Sequence, residues 1–155
     1  MTAVRNTLLG LTLLLATACA RRIGANGTVA GVTVTDAVAW GFPGSGSLTV
    51  GCRMESTAPD SLIGVSTPVA AHAQLHNVVT ANGISRMVPI SAISLPPQSS
   101  VRLGAGGYHV MLDSLTAQVA VGDSVAVTWD FARAGKLTLY VPVVKFGDAQ
   151  DLLKQ

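Results

Sequence analysis

The dipeptide Asn82-Gly83 narrows what this chain can fold into more than any other feature. Asn-Gly is the preferred centre of a two-residue hairpin turn, because both residues tolerate the positive φ that a type I′ turn requires. It is flanked by QLHNVV and ISRMV, runs with enough β-branched and apolar residues to be strands. A two-residue loop fixes the register, so that Ala81 pairs with Ile84, Val78 faces Met87 and His76 faces Pro89. Alternate strand residues share a face, which makes His76 and Met87 diagonal neighbours within reach of long side chains.

Much of the remaining sequence has the same character. Short strand candidates separated by turn chemistry cover residues 28–34, 47–54, 61–66, 70–79, 84–89, 101–103, 108–112, 123–131 and 136–143. Alternation is clearest near the end, where Val125, Val127, Trp129 and Phe131 line one face, as do Leu137, Leu139, Val141 and Val143. The turn at Ala134-Gly135 joins these two runs as a hairpin. Many short strands with almost no helical periodicity predict an all-β fold, either a two-sheet sandwich or a Greek-key barrel.

The chain opens MTAVRNTLLGLTLLLATAC, with one Arg, an apolar run and small residues before Cys19. This is the pattern of a secretory signal sequence, and the apolar run is too short to span a bilayer comfortably. Two processing routes fit. Residues 16–19 look like a lipoprotein site that makes Cys19 the lipidated first residue, although Ala16 stands where Leu is usual. Ordinary cleavage after Ala18 or Ala20 is the rival. Lipidation accounts for a Cys at the very end of the apolar run, and would tether the protein without threading it through the membrane.

Removing 18 of the 155 residues leaves 137, enough for one domain with a core. Residues 19–27 read as a flexible lead, 28–143 as the β domain and 144–155 as a short tail. The mature part keeps nine Lys or Arg and eight Asp or Glu, with no basic run. That argues against nucleic acid as a partner, and leaves the membrane a role only through the lipid anchor. The expected state is a monomer in the periplasm, held to the envelope membrane if Cys19 is lipidated. Cys52 is then the only other cysteine, so no internal disulfide is expected.

Four residues stand out as candidate ligands: His76, Met87, His109 and Met111. Ten residues separate the first pair, twenty-one separate Met87 from His109, and one separates His109 from Met111. His109 and Met111 share a strand face roughly 7 Å apart, so two pairs from two strand segments can converge on one ion. Thioether sulfur is soft and neutral and suits Cu(I), while imidazole suits several metals. Two Met would be poor zinc ligands. In an oxidising compartment, thioethers also avoid capture in disulfides. Taken singly, a strand Met is usually core filler and a His a surface or half-buried residue.

The joint spacing H-x10-M-x21-H-x-M and its flanks resemble the copper-binding motif of the PCu(A)C family of bacterial periplasmic copper chaperones, over about residues 40–143. The resemblance implies a cupredoxin-like β-barrel with one Cu(I) held by His76, Met87, His109 and Met111. It implies delivery to a copper-accepting subunit of a haem-copper respiratory oxidase, such as the binuclear site of cytochrome c oxidase, or to another copper chaperone. Trp40 resembles the Trp that the family carries before its first long strand, and is expected in the core.

Other features read more simply. Leu48, Val50, Cys52 and Met54 alternate, which makes Cys52 a buried small hydrophobe, with a redox thiol or an added copper ligand as the alternative. His72 shares the face of His76 but lies roughly 13 Å away, as a surface residue or a weak accessory site. Gly104-Ala105-Gly106-Gly107 precedes no helix, so it reads as a tight turn presenting His109 and Met111 at a rim, not as a phosphate loop. Family members often carry Pro where Ala105 stands. No hydrolase or zincin signature is present, no carboxylate pair is evident, and the reading is of a non-enzyme. The tail holds neither His nor Met, so a second tightly bound ion is not expected. Two other functions fit the same residues: an envelope lipoprotein with a structural or interaction role, and copper sequestration for tolerance.

Overall fold

A computed structural model describes residues 23–42 and 44–154; the leader and Cys19 lie outside the described residues. The described residues form eleven strands and one helix in succession. The strands are β1 Ala25–Val29, β2 Val32–Trp40, β3 Ser47–Ser56, β4 Asp60–Ser66, β5 Ala70–Ala81, β6 Ile84–Pro89, β7 Ile93–Leu95, β8 Ser100–Leu103, β9 His109–Leu115, β10 Ser124–Phe131 and β11 Gly135–Pro142. The helix, α1, is Phe146–Lys154.

The strands form two sheets, which do not close into a barrel. One has the order β1-β2-β3-β9-β5-β6, with β8 also paired to β3; the other has the order β11-β10-β4-β7. The expected all-β sandwich is the fold observed. Its core lies between the sheets. Val34, Val50, Met54, Leu75, Val110 and Leu112 come from the larger sheet, and Leu62, Ile93, Val127, Trp129 and Phe131 from the smaller. Each set sits on alternate strand positions, so the opposite face of the larger sheet is left for other work.

The β5–β6 hairpin has the register that Asn82-Gly83 requires. Ala81 pairs with Ile84, Val78 with Met87 and His76 with Pro89, and both turn residues have positive φ, 52° and 76°. The β10–β11 hairpin also forms as expected, with Phe131 opposite Gly135.

Apart from strand ends that shift by one to three residues, four segments differ from the sequence reading. The run 28–34 is two strands, folded back at Ala30-Gly31 with φ of 39° and 84°. Apolar alternation passes straight through that turn, and Ala at positive φ gives no warning of it. The lead expected over 19–27 is partly strand, since β1 begins at Ala25 and pairs with Ala37. The tail expected over 144–155 contains α1. β7, three residues long, was not anticipated.

Nine residues make too short a helix to persist on propensity alone, so packing must hold α1. Asp148 in its first turn and Lys154 in its last suit the helix dipole. Ala149 and Leu153, four apart, are buried with Val38, Trp40 and Val144. Trp40 is therefore buried as expected, but against the helix. Arg53 on β3 and Arg102 on β8 each donate to the Leu153 carbonyl, at 3.2 and 3.1 Å, satisfying an acceptor that a helix end leaves open. Gly51 provides the room for this docking. A Cβ there would lie 2.6 Å from Leu153 Cδ1 and 2.7 Å from the Leu103 carbonyl oxygen. Cys52, the next residue, is a free thiol pointing into the core, and burial pushes its pKa far up.

Gly51→Ala is expected to destabilise the domain by about 1–3 kcal/mol, the usual cost of overpacking. Urea unfolding measures it. A midpoint equal to that of the unchanged protein would show that the helix does not depend on this gap.

Candidate metal centre

The core-facing residues of β5 and β9 determine where their neighbours go. Leu75 pairs with Val110 and Ala73 with Leu112, toward the core. His76, His109 and Met111 therefore project from the opposite, outer face. His76 is directly across from His109, and Met111 is flanked by Gln74 on β5 and Thr49 on β3. On β6, Met87 stands opposite Val78 on the same outer face. All four residues singled out in the sequence are thus on one side of one sheet, across three adjacent strands. They lie on the sheet's outer face beside its β6 edge, where the sequence suggested a barrel rim.

The four are unequally covered. His109 is 3% exposed, His76 and Met111 are half-buried, and Met87 is 60% exposed on the edge strand. The two imidazole rings meet edge to face, with centroids 5.6 Å apart and planes at 85°.

Hydrogen bonds orient this group. His109 Nδ1 lies 2.9 Å from the Gly107 carbonyl oxygen. A carbonyl can only accept, so Nδ1 carries the proton and Nε2 keeps its lone pair. That Nε2 is buried and has no partner, and neither has Nδ1 of His76. Leaving a buried polar atom unsatisfied costs about 1–3 kcal/mol, so two such nitrogens on adjacent, facing rings are candidate ligand atoms. The Thr49 hydroxyl donates to Met111 Sδ at 3.4 Å, steering the thioether from the other side. Imidazole nitrogens and thioethers are soft, uncharged groups of the kind that suit a monovalent soft cation, and all four side chains share this face.

Sequence reasoning missed Thr49 and the role of the Gly107 carbonyl. Thr49 reaches Met111 only through the β3–β9 pairing, which no local pattern announces. The 104–107 turn was legible as a turn, and Gly106 does take φ of 83°, but which carbonyl it would aim inward was not. His72 pairs with Asp113 and is exposed, on the outer face but beyond Met111. No group of three or more His, Cys, Asp or Glu side chains suited to a metal occurs among the described residues.

Comparison with known proteins gives the chain its relatives. The model of a family described as "Putative lipoprotein LpqE-like" matches residues 31–143. A protein of Leifsonia xyli subsp. xyli (strain CTCB07), named "Putative lipoprotein Lxx21020", is 33% identical over 94 residues, 60% of this chain. The match spans 57% of that relative's length. Among solved structures, the copper-bound PCuAC domain from PmoF2 superposes with a TM-score of 0.66 at 25% identity, over 77% of this chain and 97% of that one. The copper(I) form of DR1885 from Deinococcus radiodurans gives 0.54 at 26% identity, over 72% and 78%. The apo PCuAC domain from PmoF1, 19% identical with a TM-score of 0.66 over 77% and 98%, shares the fold.

The setting of His76 has a measurable consequence. Its pKa is held below the ordinary imidazole value, first by burial and then by His109 beside it, while Asp113 pulls weakly the other way. A His depressed in the folded state gives stability that is complete above the unfolded value of about 6.5 and is lost as pH falls through the folded value. The metal-free domain should therefore lose stability on acidification below about pH 6.5, and His76→Gln should flatten that dependence. Parallel urea midpoints for the two proteins across this range would refute the assigned environment.

Proposed function

The chain belongs to the LpqE-like family, and from that premise we propose that it is an envelope-anchored carrier of copper, binding one Cu(I) through His76, Met87, His109 and Met111. The observation that carries this reading is the pair of buried, unpartnered nitrogens, His76 Nδ1 and His109 Nε2, beside two thioethers on one sheet face. The copper-bound PCuAC domain and the copper(I) form of DR1885 support it, because they join this fold to copper at 25–26% identity. The LpqE-like family name supports attachment through a lipid on Cys19.

Each residue then has a role in handling the ion as cargo. His109, buried and fixed in one tautomer by Gly107, supplies the least mobile donor. Met111 is aimed by Thr49. Met87, on the exposed edge strand, is the donor most open to replacement by a ligand from an acceptor. Exchange starts there, with one copper–sulfur bond breaking as one from the acceptor forms, so charge and oxidation state are conserved. No thiolate holds the ion, and a thiolate-bearing acceptor outcompetes a thioether for it. An oxidase copper centre is such an acceptor, and we take delivery to a haem-copper oxidase as the task. Storage for tolerance uses the same site and differs only in lacking transfer.

Cu(I) titration of the reduced protein should give one ion per chain and much weaker Zn(II) binding. Equal or tighter Zn(II) binding rules out the donor set. Met111→Leu keeps volume but removes a soft donor, so it should weaken Cu(I) binding while leaving the melting temperature nearly unchanged. Cys52→Ala should leave the stoichiometry at one, because the thiol lies on the core side of β3. Loss of copper from that variant would mean that a thiolate belongs to the site.

A further inference from the structure

A cleft of about 1160 Å³ opens beyond the Leu115 end of β9, between the loop after β2, the loop after β9 and the start of α1. Phe42, Val121 and Phe146 line it and are 68%, 58% and 45% exposed. The Phe42 and Phe146 rings have their centroids 6.1 Å apart, and Lys145 stands at the border. Large apolar side chains gathered on one exposed surface mark a contact with something apolar.

The entry point of the described chain indicates what that is. Ala25 pairs with Ala37, and Gly24 packs against Asp36 and Ala37. β2 runs on from Ala37 to Trp40, so the start of β1 and the loop after β2 share one end of the sheet. Phe42 is five residues beyond Ala37, roughly 17 Å along the chain. Val144 donates to the Ala39 carbonyl at 2.8 Å, which brings Lys145 and Phe146 to the same end of the sheet. Cys19 is four residues before Ile23, a reach of at most about 14 Å. A lipid on Cys19 would therefore hold this end of the sandwich close to the headgroups.

We propose that the cleft end, through Phe42, Val121 and Phe146 with Lys145, rests on the phospholipid bilayer; this depends on the lipidation of Cys19 proposed above. Phe and Val side chains enter the boundary between headgroup and acyl chain, and Lys145 meets lipid phosphate. The contact is apolar and is delivered by the tether, which agrees with the absence of a basic run in the sequence. His109 is at the far end of β9, six residues or roughly 20 Å from Leu115, so the donor face stands clear of the membrane.

The test uses the full chain, isolated with its lipid and reconstituted in vesicles of phosphatidylglycerol and phosphatidylethanolamine. A nitroxide is placed at Ala117→Cys in the cleft wall or, as reference, at Thr80→Cys near the β5–β6 turn. The Ala117 label should be shielded severalfold from an aqueous relaxation reagent and relaxed by oxygen dissolved in the lipid, while the Thr80 label remains open to water. Phe42→Ser with Phe146→Ser should return the Ala117 label to water with Cu(I) affinity unchanged. Phe42→Ser alone gives the same readout if the double variant does not fold. Equal aqueous access at both labels overturns the proposal. So does dipolar broadening between Ala117 labels, which would put a second copy of the chain in the cleft. Mass spectrometry showing no lipid on Cys19 also overturns it, and leaves the copper reading untouched.

Discussion

The antiparallel pairing of β5 with β9 holds His76 opposite His109, and the candidate site depends on it. Because side chains alternate, the register that sends Leu75, Val110 and Leu112 into the core sends both imidazoles and Met111 out. A slip of one residue would bury the imidazoles and expose the leucines. The hydrophobic core is thus what specifies the arrangement of these side chains. The neighbouring strands complete it: β3 brings Thr49 to Met111, and β6 brings Met87 to the same face.

The outer face of the larger sheet is shared between two tasks. Over β2, β3 and β8 it is covered by α1, fastened by Leu153 above Gly51 and by the arginines that hold the Leu153 carbonyl. Toward β9, β5 and β6 it carries the imidazoles and thioethers. Cys52 is on the other face of β3, with its thiol buried and kept protonated. In our reading the strongest soft ligand among the described residues is thereby kept away from the ion, and the weaker thioethers give it up more readily.

The local half of this arrangement was legible in the sequence and the distant half was not. Asn82-Gly83 encodes the register of β5 against β6, since two residues of positive φ leave the chain one way to turn back. Alternation in β10 and in β3 identified Trp129, Phe131 and Cys52 as core residues. The turn at Ala30-Gly31 was hidden because apolar alternation continues across it. The helix was hidden because its stability comes from Gly51, Trp40 and two arginines far away in the chain, not from its own nine residues. Thr49 was hidden for the same reason.

The long-range pairings also bear on the order in which the protein folds. Met111 meets Thr49 from 62 residues away, and β9 must insert between β3 and β5 to make the larger sheet continuous. Contacts so distant in sequence cost loop-closure entropy before they return anything, so such topologies form late and comparatively slowly. The β5–β6 hairpin can form early and bring together His76 and Met87, whereas His109 and Met111 join them only when β9 docks. Until then the unfolded or half-folded chain offers at most one nitrogen and one sulfur in a fixed relation. On our proposal, metal handling at this face is therefore conditional on completed folding, and a full donor set would be a built-in check on the fold itself.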